Sequence, residues 1–167
     1  MDQNGMMGGG MMGQGGMMGG GADASRWFIE AMIPHHEDAV AMADLALAGA
    51  THQEVKDLAA RIKTAQTAEI EQMRAWYRQW YQTEPVARPM PMGERELASL
   101  RGATDIDRAF LTAMIPHHQM AVMMATMTLP RTERPELRTL LRSIVAEFGI
   151  IFPTGRIKLM KEFALHA

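Results

Sequence analysis

The chain has 167 residues, of which 47% are apolar and 22% charged, with a net charge of −2, no cysteine and 18 methionines. That length supports one domain with a real core, and the near-neutral balance with no basic block leaves nucleic-acid binding unsupported. No apolar run approaches the roughly 20 residues of a membrane span, and the lack of cysteine excludes disulfides, thiolate catalysis and thiolate metal sites.

Residues 1–22 carry three Met-Met pairs, Met6-Met7, Met11-Met12 and Met17-Met18, among glycines. Glycine-rich chain cannot offset its ordering entropy, so a disordered, flexible tail is expected. It has neither the charged start nor the apolar middle of a signal peptide; if the protein is exported, the signal is expected to have been removed. The tail is either a spacer or a thioether arm that captures Cu(I) or Ag(I).

Residues 23–167 are expected to form the folded domain, as repeat one (23–82), a linker (83–104) and repeat two (105–167). The first helix should begin at Asp23 or Ser25, both good caps, and run to about Ala48 with Gly49 as its stop. Phe28, Met32, His35, Ala39, Met42 and Ala46 recur along it at helical spacing. Pro34 lies inside it and should force a kink or local widening, unless the helix starts at Pro34. A second helix is expected from Thr51, with Glu54 completing a capping box, to about Tyr81. It ends in the aromatic patch Trp76, Tyr77, Trp80 and Tyr81, which fits the end of a bundle better than a ligand cage. Prolines at 85, 89 and 91 preclude a continuous helix in the linker, where Glu94–Leu100 forms one or two turns at most. A third helix should run from Thr104 or Asp105 to about Thr128, and a fourth from Arg134-Pro135 to the breakers Gly149 and Pro153. The sum is an all-α, four-helix bundle made of two duplicated helical hairpins.

The duplication is explicit. Met-Ile-Pro-His-His occurs at Met32–His36 and again at Met114–His118, and 12 of the 18 positions in 26–43 recur 82 residues later. On a helix, residues advance by about 100° each, so Met32, His35 and Met42 share one stripe around the small Ala39. Met114, His117, Ala121 and Met124 repeat that stripe, and Met120, Met123 and Met127 raise the sulfur density there. Adjacent histidines diverge by about a quarter turn, so one faces the core and the other solvent or a partner helix. Thioether and imidazole together suit Cu(I) and Ag(I), and imidazole also suits Cu(II). The candidate metal ligands are therefore Met32, His35, His36 and Met42 in the first repeat, and Met114, His117, His118, Met120, Met123 and Met124 in the second. The plain alternative is that methionine fills core gaps and histidine satisfies hydrogen bonds. His52 and His166 lack such surroundings and are read as surface residues. Because imidazole ligands must be neutral, such sites should weaken below about pH 6.

The segment Phe28–Ala43, followed by Gln66, Glu69, Ile70, Met73 and Trp76, resembles the CopM-like family of exported copper-binding proteins. That family carries Met-Ile-x-His-His-x-x-Ala-Val-x-Met-Ala on one helix and Gln-x-x-Glu-Ile-x-x-Met-x-x-Trp on its partner. The resemblance covers nearly all of residues 23–148. It implies a ferritin-like four-helix bundle, a periplasmic or secreted location, and copper binding in resistance or homeostasis. The departure is in the last helix, where Glu147, Phe148, Gly149 and Ile150 stand in place of the partner motif. An offset echo is Ile157, Met160 and Phe163, so the second half either lacks partner-helix ligands or has a displaced last helix.

The expected function is thus a non-enzymatic buffer or carrier of Cu(I), with Ag(I) and Cu(II) as further candidates and a metal-delivery protein as a candidate partner. A di-metal carboxylate oxidase on the same bundle would need Glu-x-x-His pairs. None occurs, since Glu30 precedes His35 by five positions and Glu162 precedes His166 by four. The third reading is a Met-rich interaction module without metal.

Overall fold

The computed structural model describes residues 23–149. The readings of the Met/Gly tail, the late echo Ile157–Phe163 and His166 lie outside the described residues. Five helices follow one another: α1 (Ala24–Gly49), α2 (Gln53–Tyr81), α3 (Pro91–Arg101), α4 (Ile106–Thr128) and α5 (Pro135–Gly149), with a 3₁₀ turn at Leu129–Arg131. Every secondary-structure element among the described residues is helical, as the sequence suggests. The linker is the exception: it holds three turns of helix, because Pro91 occupies the first turn, where a missing amide costs nothing.

Asp23 is the cap of α1, accepting hydrogen bonds from the amides of Ser25 (2.9 Å) and Arg26 (3.3 Å). Gly49 does not stop the helix through a left-handed turn. It is the last helical residue, and its bare Cα faces Ile106, so that the end of α1 closes on the start of α4. The expected capping box at Thr51 is absent; α2 begins at Gln53 behind His52, which makes no side-chain cap. Asp107 of α4 instead holds the turn that leads into α2. Its carboxylate accepts from the Thr51 amide (2.8 Å), the Thr51 hydroxyl (2.8 Å) and the His52 amide (3.0 Å). Burial pushes the Asp107 carboxyl up, but these donors outweigh it and bring its pKa down to about 2.

α1 is the central element, packed on α2, α3 and α4, and every residue from Phe28 to His36 is buried. It runs unbroken through Pro34, so the alternative start at Pro34 is not adopted. Proline removes the amide that would bond the Glu30 carbonyl. The Arg88 amide, from the segment after α2, donates to that carbonyl at 2.8 Å instead. The Glu30 side chain is buried too, and Tyr77, Arg26 and Arg88 donate to its carboxylate. Burial alone would raise the Glu30 pKa; the three donors reverse that and lower it.

Two apolar clusters hold the helices together. The first contains Phe28, Ile29, Met32 and Ile33 of α1, Met73 and Tyr77 of α2, Ala121, Met124 and Ala125 of α4, and Leu137, Leu141 and Ile144 of α5. The second contains Ala39, Met42 and Ala43 of α1, Val55, Ala59 and Ile62 of α2, Leu100 of α3, and Phe110, Leu111 and Met114 of α4. The start of α1 thus meets the end of α4, and the end of α1 meets its start, so the two helices run antiparallel. The clusters are images of each other under the 82-residue repeat: Phe28 with Met124 in one, Phe110 with Met42 in the other. Fully burying each such side chain stabilises the fold by about 1.5–3 kcal/mol.

Candidate metal centre

Between the two clusters lies a polar belt. Along α1 it holds His35 and His36, after Ile33 and before Ala39; along α4 it holds His117 and His118, after Met114 and before Ala121. On α2, Gln66 and Glu69 fall between Ile62 of one cluster and Ile70 of the other. All four histidines are buried. The expectation that one of each pair faces solvent or a partner helix resolves to the partner helix for His36, whose Nε2 donates to Glu69 of α2 at 2.6 Å. His118 is buried as well.

The rings of His35 and His117 meet where α1 crosses α4, with centroids 3.7 Å apart and planes inclined by 31°. His35 Nε2 donates to the His117 carbonyl at 3.1 Å. The reciprocal approach of the His117 ring to the His35 carbonyl falls outside hydrogen-bonding geometry. His118 donates through Nδ1 to the Met114 carbonyl at 2.8 Å. Four buried ring nitrogens have no hydrogen-bond partner: Nδ1 of His35, Nδ1 of His36, and both Nδ1 and Nε2 of His117.

Burial and the neighbouring imidazoles keep His35, His117 and His118 neutral. Burial first, then His36 and His118, bring His35 down to about 3; burial first, then His35, His118 and His36, bring His117 down to about 2. Burial likewise brings His118 down to about 4, partly offset by its bond to the Met114 carbonyl. The imidazole donors expected to be lost below about pH 6 therefore persist to lower pH at these three positions. Ordinary histidine titration assumes an exposed ring, and these rings are not exposed.

The candidate thioethers divide by position. Met32 and Met124 lie in the first cluster and Met42 and Met114 in the second, all fully buried on the two sides of the belt. Met120 is partly buried against the first cluster, while Met123 is 49% exposed and Met127 51% exposed on the outer face of α4. So His35, His36, His117 and His118 come together, four methionines flank them, and Met123 stands apart. Sequence reasoning did not single out Glu69 as a partner of His36, although its place in the α2 motif was the available signal. Among the described residues, no three or more His, Asp or Glu side chains are grouped to hold one ion. Soft ions of low coordination number have no such requirement, and neutral imidazoles flanked by thioethers fit them. His52 is half-exposed, as expected, and its ring lies against Asp107.

Fold and site together define a duplicated helical bundle with a buried histidine belt at the junction of its two halves. The chain belongs to the DUF305 family, a domain of unknown function, whose profile matches residues 25–149. Among solved structures it is similar to CopM. The Cu(I)-bound form is 42% identical, with a TM-score of 0.75 over 85% of this chain and 96% of that one. CopM has also been solved with Cu(II) and with silver. A DUF305 fragment from Deinococcus radiodurans is 29% identical, with a TM-score of 0.73 over 87% of this chain and 98% of that one. A putative secreted DUF305 protein from Streptomyces coelicolor is 25% identical, with a TM-score of 0.72 over 84% and 90%. No curated protein matches the sequence. Among the described residues, no helix is long and apolar enough to cross a membrane.

Proposed function

We propose that this protein binds Cu(I), and Ag(I) in the same way, at the histidine belt, as a buffer or carrier without turnover. The observation that carries this reading is the set of unpartnered buried nitrogens on His35, His36 and His117. A buried polar atom left unpaired costs about 1–3 kcal/mol, and native folds retain few of them. A cation supplies the missing partner. His35 and His117 are neutral at ordinary pH, so their lone pairs are available without proton release. Buried Met32, Met42, Met114 and Met124 supply thioethers on either side, and Met120 and Met123 offer sulfur nearer the surface for capture or hand-over to a delivery protein. CopM, similar over most of both chains, has been solved with Cu(I), Cu(II) and silver, which supports the same cargo here. We place the protein outside the cytoplasm, periplasmic or secreted, in copper resistance or homeostasis. A sulfur-rich, cysteine-free chain suits an oxidising compartment, and one relative is described as a putative secreted protein.

The test is native mass spectrometry of the full chain after exposure to Cu(I) and Ag(I). Retained ions are expected, and their number should fall in the double variant His35→Ala, His117→Ala. A chain that retains none would instead favour the interaction-module reading, which the exposed Met123 and Met127 support.

A further inference from the structure

The repeat makes His36 and His118 equivalent, yet the structure holds them by opposite ring nitrogens. His118 donates through Nδ1 to the carbonyl four residues earlier, Met114. The same bond in the first repeat would join His36 Nδ1 to the Met32 carbonyl. Instead, His36 donates through Nε2 to Glu69, which leaves Nδ1 buried and without a hydrogen-bond partner. A carboxylate only accepts, so this bond fixes a proton on Nε2, and of the two neutral tautomers it selects the one with its lone pair on Nδ1. In the sequence, the position 82 residues after Glu69 is Ile151. Glu69 also acts electrostatically on His118, across the belt.

We infer that Glu69 is a positioning residue that locks His36 in the tautomer presenting Nδ1 to a soft monovalent cation, which makes the two halves of the duplicated site chemically unequal. This rests on the metal-binding reading above. Imidazole ligands are commonly oriented by a carboxylate on the other ring nitrogen, and loss of that partner costs roughly 10–100-fold in metal affinity. Glu69 adds a charge effect. One carboxylate balances the charge of a bound monovalent ion, whereas a divalent ion keeps an excess positive charge inside the fold. Glu69 is itself partly exposed, with a quarter of its side chain accessible, so the bundle does not depend on it for packing.

The experiment uses the full chain with ring-¹⁵N-labelled histidine and its Glu69→Gln and Glu69→Ala variants. Long-range proton–nitrogen spectra of the metal-free proteins report each tautomer, and competition titration with Ag(I) reports affinity. The unsubstituted chain should show His36 protonated on Nε2 and His118 on Nδ1. Glu69→Gln keeps an acceptor and should keep the His36 tautomer, while losing about tenfold in Ag(I) affinity. Glu69→Ala should release the His36 tautomer, leave that of His118, and lose more affinity than Glu69→Gln. A His36 ring protonated on Nδ1 in the unsubstituted chain overturns the inference. So does a Glu69→Ala variant with unchanged tautomer, or one with unchanged Ag(I) affinity. If the unsubstituted chain binds no Ag(I), the metal-binding reading falls with the ligand role of Glu69, while the metal-free spectra still decide whether Glu69 sets the His36 tautomer.

Discussion

His35 and His117 occupy the same position in the two repeats and stack on each other, 3.7 Å between ring centroids, where α1 crosses α4. A duplicated residue meets its own copy only at the point where the two halves exchange places. The two apolar clusters are therefore images of each other, and the histidines become the shared seam between them.

The seam makes the metal-free protein sensitive to acid. Unfolded histidines take up a proton near pH 6.5, whereas buried His35, His117 and His118 stay neutral down to about 3, 2 and 4. Between those limits unfolding consumes protons. This part of the stability is complete above about pH 6.5 and declines as pH falls toward the folded values. Each such histidine gives a slope of about 1.4 kcal/mol per pH unit within its window. Urea melts at about pH 7, 6 and 5 should show a steadily falling midpoint, and His117→Leu should flatten the trend. A midpoint independent of pH over that range would refute the buried neutral state.

Asp107 ties the α1–α2 turn to the start of α4 through three hydrogen bonds to a buried carboxylate. Replacing it by Ala leaves the amides of Thr51 and His52 without their acceptor. A loss of about 2–3 kcal/mol in unfolding free energy is expected by equilibrium denaturation. Because its pKa is lowered to about 2 from 3.8, the stability it confers is present above about pH 4 and lost as pH falls through about 2.

Pro34 leaves the Glu30 carbonyl to the Arg88 amide. In Pro34→Ala an amide returns within α1 and competes for that carbonyl. Hydrogen exchange at the Arg88 amide should then accelerate, while exchange in the middle of α2 stays as it was. Unchanged protection at Arg88 would mean that the proline does not govern the docking of this segment.

Phe28 and Phe110 are repeat equivalents, both fully buried, one in each cluster. Phe28→Ala and Phe110→Ala should each cost about 3–5 kcal/mol by thermal or urea unfolding. Similar losses are expected, since each ring packs against the same alanine and methionine set on the opposite helix. A loss confined to one variant would show that the clusters are energetically unequal despite their shared pattern.

The sequence by itself determined the four long helices, the duplication and the histidines of the belt. Asp23, Asp105 and Pro135 mark helix starts through local chemistry, and the periodicity of Phe28, Met32, Ala39 and Met42 names the inward face of α1 without reference to any partner. These are short-range properties, set by backbone geometry within a few residues. Tertiary structure alone decided what the polar atoms meet. Asp107 holding the turn before α2, Arg88 answering the carbonyl freed by Pro34, and Glu69 holding His36 all join residues far apart in the chain. So does the depression of the histidine pKa values, which arises because α1, α2 and α4 together exclude water from rings that helical spacing alone leaves half outside. Hydrogen bonding and desolvation depend on which helices close over a group, and the pattern along one helix carries no record of that.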